Sequence, residues 1–201
     1  MPNPKPPDLH TRCSRHFDYA DLIQCGATWH SLANVTPAPA PISPDNVPRE
    51  TATWVGIAKL ATEILDPLVD RFGAVQLTYG FAGPALTRHI KRRIYPRLDQ
   101  HAGSERNRRG ALICERLGQA CDLIIPGTDS LTVAKFIVTE LPFDRLYLYG
   151  ADRPLHVSVG PNNSRVVVEM RPGPSGRLIP RAFTRDAWLS AIQVNPGADP
   201  R

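Results

Sequence analysis

Nine basic residues crowd the stretch from Arg88 to Arg116: Arg88, Lys91, Arg92, Arg93, Arg97, Arg106, Arg108, Arg109 and Arg116. Only Asp99, Glu105 and Glu115 oppose them, so this stretch carries +6 against a chain total of +5. Arginine outnumbers lysine twenty to four. Its planar fork matches the oxygens of phosphate or carboxylate, which points to an anionic partner: nucleic acid or an acidic small substrate. Arg88, Arg92, Arg93 and Arg97 are the anion-binding candidates. A solvated helix face followed by an exposed loop accounts for the same charges equally well. The aromatic interleaving that stacks single-stranded bases does not accompany them. Asp122 opens the apolar run Leu123-Ile124-Ile125, where a buried acid needs a partner; a metal ion or Arg116 would serve. His156 lies in a strand-like run, as a satisfied core histidine or as a ligand. Cys13, His16, Cys25 and His30 match no zinc-module spacing and read as buried thiols and surface histidines.

The elements around these residues follow from periodicity and breakers. Asp18 to about Leu32 reads as one helix, Thr36–Pro48 as a proline-rich loop, and about Glu50 to Phe72 as a long helix. In that helix Ile57, Leu60, Ala61, Ile64 and Leu68 recur at helical spacing, Pro67 should bend it, and Gly73 should end it. Strands are predicted at Ala74–Thr78, Ala120–Ile125, Arg145–Tyr149, Leu155–Val159 and Arg165–Met170. Helices are predicted at Ala85–Ile94, Leu131–Glu140 and, after a Pro/Gly loop, Arg185–Val194. Helices come mostly first and strands mostly last, so an α+β fold is expected over a doubly wound one. No internal repeat and no nucleotide-binding glycine loop occur.

At 201 residues with 42% hydrophobic content, the chain can bury one sizeable core. No apolar run approaches the roughly 20 residues of a membrane span. The start, Met1 to Pro7, has no apolar signal-peptide core, so a cytoplasmic protein without membrane partners is expected, its four cysteines reduced. Residues 1–15 are expected as a disordered arm.

Three clusters, in order, resemble the zinc D-alanyl-D-alanine carboxypeptidases. Leu77-Thr78-Tyr79-Gly80-Phe81-Ala82 is similar to that family's S-G-Y-R strand end. Gly110-Ala111, followed by Glu115, Gly118, Ala120 and Asp122, resembles its G-G-A…S-x-H-x-x-G-x-A-x-D motif with the same internal spacing. Phe143-Asp144-Arg145-Leu146 leading to His156-Val157-Ser158 is similar to its F-D-x-L…W-x-H-V-S ending. His16 to Leu22, Asn46-Val47-Pro48 and Ala61 to Leu68 look like the preceding helices of the phage and bacterial branch. The resemblance covers about residues 16–160. It leaves out a basic insert near 84–106 and an extension over 161–201.

The resemblance implies the Hedgehog/DD-peptidase fold, an antiparallel sheet flanked by helices, and a zinc ion or another divalent cation as cofactor. It places the metal on Asp122, His156 and Glu115, the last standing where the family has histidine. A carboxylate there keeps a ligand and shifts preference toward harder metals. Tyr149 occupies the position of the family's glutamate base, and tyrosine is a poor proton acceptor at neutral pH. The family's arginine falls on Ala82, leaving Arg116 or the Arg88–Arg97 cluster to replace it. His101 is a further imidazole able to join the ligands, and Tyr147 reads as packing. The implied function is a divergent metal-dependent hydrolase of a peptide-like or anionic substrate, with a cell-wall or phage lysis role by analogy. The alternative is a non-catalytic or nucleic-acid-associated module that holds an anionic partner through the cleft and the insert.

Overall fold

A computed structural model describes residues 6–33, 46–90 and 95–194. Among the described residues six strands form one mixed, mostly antiparallel sheet in the order β1-β2-β4-β3-β5-β6. They are β1 (Gln76–Tyr79), β2 (Gln119–Ile124), β3 (Arg145–Leu148), β4 (Leu155–Val159), β5 (Val166–Pro172) and β6 (Leu178–Thr184). The β3–β5 pair alone is parallel. The α+β class therefore holds, and the sheet is less uniformly antiparallel than expected. Among the described residues no helix is long and apolar enough to cross a membrane.

The predicted helix over Asp18–Leu32 is two helices, α1 (Tyr19–Ile23) and α2 (Ala27–Ala33). Gly26 divides them at φ +90°, and a Cβ there would come within 2.9 Å of the Thr78 carbonyl. The long helix runs as α3 (Thr51–Leu60), a π-helical turn (Ala61–Leu65) and α4 (Asp66–Phe72). Pro67 lacks the N–H of a regular α-helical ladder, and the wider turn just before it absorbs that loss. The apolar stripe survives: Ile57, Leu60, Ile64 and Leu68 are fully buried. Gly73 ends α4 as expected.

Ser14 and Arg15, predicted as part of a disordered arm, are tied to α4. The buried Asp66 carboxylate accepts from the Ser14 hydroxyl at 2.8 Å and from the Arg15 and His16 N–H groups. A carboxylate with three donors holds a loop that composition alone reads as loose. Residues 1–5 lie outside the described part, as does most of the predicted loop over Thr36–Pro48.

The predicted basic helix over Ala85–Ile94 is reduced to α5 (Pro84–Thr87), and positions 91–94 lie outside the described residues. Short 3-10 turns follow at Pro96–Leu98 and Gln100–Ala102. Helices α6 (Ser130–Glu140) and α7 (Arg185–Val194) fall where periodicity places them. Strand β6 replaces a predicted loop, so the C-terminal extension completes the sheet rather than trailing from it. Trp188 of α7 is fully buried and donates through Nε1 to Glu169 of β5 at 2.9 Å.

Alternation along β4 separates two faces. Leu155, Val157 and Val159 join the core with Ile57, Leu60, Ile137 and Phe143, while His156 and Ser158 face the other way.

Candidate metal centre

The strand register lines up a row of polar and aromatic residues across four strands. Tyr79 of β1 stands opposite Asp122 of β2, Asp122 opposite His156 of β4, and His156 opposite Tyr147 of β3. Directly opposite residues share one face of a sheet, so this row follows from register alone. His101, from the 3-10 turn at Gln100–Ala102, lies against the row, its ring edge-on to Tyr79 at 4.5 Å and to His156 at 4.9 Å.

Three ligand-type atoms converge there. His156 Nδ1 is 2.8 Å from Asp122 Oδ1, His101 Nε2 is 3.2 Å from His156 Nδ1, and His101 Nε2 is 3.2 Å from Asp122 Oδ1. A tetrahedral ion with bonds of about 2.0–2.1 Å holds its ligands about 3.3 Å apart, so the triangle is close to the right size without rearrangement. Among the described residues this is the group of His, Cys, Asp and Glu side chains that could hold a metal ion. Both imidazoles are buried, and the Asp122 side chain keeps 30% of its surface exposed, so the triangle opens on one side. A group of three such side chains with one open side could hold a metal ion.

Hydrogen bonds around the triangle fix its orientation. The His101 Nδ1–H donates to the Gly80 carbonyl at 2.8 Å, which turns Nε2 toward Asp122 and His156. Gly80 is tight against α1, where a Cβ would sit 2.1 Å from the Leu22 carbonyl oxygen, so only glycine brings that carbonyl into place. Gln100, next to His101, donates to Asp144 Oδ2 at 3.0 Å and to the Leu117 carbonyl, and accepts from the Ser158 hydroxyl at 2.9 Å. Asp99 Oδ1 caps the same turn by accepting the His101 N–H at 3.1 Å. The aspartate of Phe143-Asp144 and the serine of His156-Val157-Ser158 thus position the turn that carries His101.

Electrostatics follow from this packing. Burial works against charge on both groups, but proximity wins. The Asp122 carboxylate raises the His101 imidazole above its ordinary value despite desolvation. The two imidazoles hold the Asp122 carboxyl well below the usual carboxylate range. Burial pushes the Tyr149 phenol up to about 12, with Asp122 adding to the effect, so Tyr149 is protonated at neutral pH. Burial raises Tyr79 likewise.

No family model, curated protein or solved structure matches this chain.

The sequence-derived site residues divide sharply. Asp122 and His156 are brought together. Glu115 is exposed, pairs with Arg97 and lies outside the triangle; His101 supplies the third corner instead. Tyr149 lines a cleft of about 440 Å³ together with His101, Asp122, Asp99, Tyr79 and Thr87. Arg116 approaches at one remove: its Nη1 donates to the Tyr147 hydroxyl at 3.2 Å, and the Tyr147 ring stands edge-on to His156 at 5.1 Å. Tyr147, expected only to pack, thus links Arg116 to His156. Arg97 is neutralised by Glu115 and Arg88 lines a different cleft, while Arg92 and Arg93 lie outside the described residues. Asp99 was missed. Its signal was faint: an acid two residues before a histidine, uncharged glutamine between, inside a basic stretch.

Proposed function

We propose that this protein is a divergent metal-dependent hydrolase, with His101, Asp122 and His156 as ligands of a zinc or similar divalent ion. The observation that carries the reading is the converging triangle, already oriented by Gly80, Gln100 and Asp99 and open on one side. Two nitrogens and one carboxylate oxygen suit zinc. A bound ion there supplies Lewis acidity and a nucleophile usable at neutral pH.

The chain's own groups complete the roles. Tyr149 and Tyr79, kept protonated by burial, donate hydrogen bonds to negative charge that develops on a bound substrate. Asp99, a second carboxylate in the cleft, accepts the proton that Tyr149 cannot take. Arg116 fixes Tyr147 and so the edge of His156. The DD-peptidase resemblance makes a peptide with a free D-alanyl end the substrate of choice. The ligand set differs from the one that resemblance implies only in taking His101 for Glu115.

The test is release of D-alanine from D-alanyl-D-alanine-terminated peptides by the zinc-loaded chain, with Asp122→Ala and Asp99→Asn variants alongside. Turnover lost in both variants, while Asp99→Asn still binds zinc, supports the assignment. Turnover that persists in Asp122→Ala overturns it.

A further inference from the structure

The arginines of the basic stretch do not gather around the His–Asp–His triangle. Helix α5 divides two clefts: Thr87 lines the one that holds the triangle, and Pro84 and Ala85 line another of about 450 Å³. Four arginines face this second cleft, Arg49, Arg88, Arg106 and Arg108, against one carboxylate, Glu105. That carboxylate is occupied elsewhere. Glu105 is buried, and its Oε1 accepts from the Arg49 and Glu50 N–H groups and from the Thr53 hydroxyl, capping the start of α3.

Among the described residues, Arg88, Arg106 and Arg108 form no ion pair with an acid. Arg106 Nη1 donates to the Gly110 carbonyl at 2.7 Å, which fixes its guanidinium beside the turn that carries Arg108. Among the described residues, the Arg88 and Arg108 side chains make no hydrogen bond and no ion pair. Other arginines are matched with acids: Arg12 with Asp18, Arg15 with Asp70, Arg97 with Glu115, Arg171 with Glu169. Like charges collected in a concave site raise the local potential and draw a counter-ion. One carboxylate satisfies a single guanidinium fork. A phosphate group, with charge near −2 and three terminal oxygens, can accept from several at once.

We propose that this cleft binds the phosphate group of a phosphorylated ligand, with Arg88 and Arg108 as its principal contacts and Arg106 as a fixed third. The site is separate from the metal centre and does not depend on the hydrolase reading.

The experiment is calorimetric titration of the full chain at low ionic strength with inorganic pyrophosphate, succinate and a short single-stranded DNA. Pyrophosphate is expected to bind saturably at one equivalent and succinate not to. Arg88→Gln/Arg108→Gln should weaken pyrophosphate by at least about tenfold, the scale of a lost charge-assisted contact. Arg177→Gln/Arg181→Gln removes the same charge from the β5–β6 end and should leave binding unchanged. Asp122→Ala should also leave it unchanged, so failure of the metal centre and failure of this cleft are distinguishable. Tighter binding of DNA through the same two arginines supports the phosphate chemistry and names a polynucleotide backbone as its source. Absence of saturable pyrophosphate binding, equal binding of succinate, or equal weakening in the Arg177/Arg181 variant overturns the proposal.

Discussion

On one side of α5, the triangle of His101, Asp122 and His156 is surrounded by groups that are themselves tied down: Gly80 by α1, Gln100 by Asp144 and Ser158, Asp99 by the turn it caps. On the other side, Arg88 and Arg108 stand exposed with no partner among the described residues. Buried polar groups must be satisfied, so the first region is built by strand register and a hydrogen-bond network. Exposed cations are already satisfied by water, so the second costs the fold little and can be removed at little cost. The contrast separates two kinds of candidate site, one rigid and orienting, the other a concentration of charge.

The largest expected effect breaks the rigid side. Asp122→Ala leaves two imidazoles without their shared carboxylate, and metal content measured by elemental analysis should fall from about one equivalent to the background of a chelated control. Retained metal would remove the reason to treat the triangle as a centre at all.

The next effect probes chemistry rather than binding. Asp99→Asn preserves the oxygen that accepts the His101 N–H and removes the proton acceptor. Turnover should drop by roughly 10²–10⁴ with zinc content unchanged. Loss of zinc together with turnover would make Asp99 a positioning residue instead.

Gln100→Ala sharpens the comparison from behind the site. It removes one buried partner each from Asp144 and Ser158 and frees the turn under His101. Melting should show a loss of about 1–3 kcal/mol, the scale of lost buried hydrogen bonds, and zinc affinity should fall about 10–100-fold.

A pH series reads the same network. The His101 imidazole titrates above its ordinary 6.5, so protons compete with a cation there from higher pH than at a free histidine. Zinc affinity should therefore weaken as pH falls through that raised value. Metal-free chain should behave oppositely. A raised histidine pKa stabilises the fold below the unfolded value, and this contribution disappears as pH rises through the folded one. Melting of metal-free protein from pH 5 to 9 checks the sign. The smallest effect belongs to the charged side: Arg88→Gln/Arg108→Gln should alter stability by no more than about 0.5 kcal/mol, as expected of exposed positions without partners.

The legibility of these regions differs for physical reasons. Elements with strong local signals, such as α6 behind its Asp129 cap, α7 and β4, lie where periodicity puts them. Strand β6 did not read as a strand because Pro180 and the glycines before it look like loop, and its pairing with β5 is a tertiary fact. Pro67 read as a bend because a π-helical turn leaves no mark in the sequence. Asp122 and His156 could be singled out because they fall on motif positions of the DD-peptidase resemblance. His101 could only be named as a spare imidazole, since its place depends on Gln100 reaching Asp144, 44 residues away. Glu115 had the expected spacing, but Arg97 gives it an exposed partner and keeps it out.

His101, and not Glu115, is the proposed third corner of the triangle. Zinc stoichiometry of the wild-type chain, His101→Ala and Glu115→Ala, each purified without chelator or affinity metal and then offered one equivalent of zinc, tests it most directly. About one zinc is expected in wild type and Glu115→Ala, and none retained in His101→Ala after dialysis. Zinc retained by His101→Ala and lost from Glu115→Ala would contradict it.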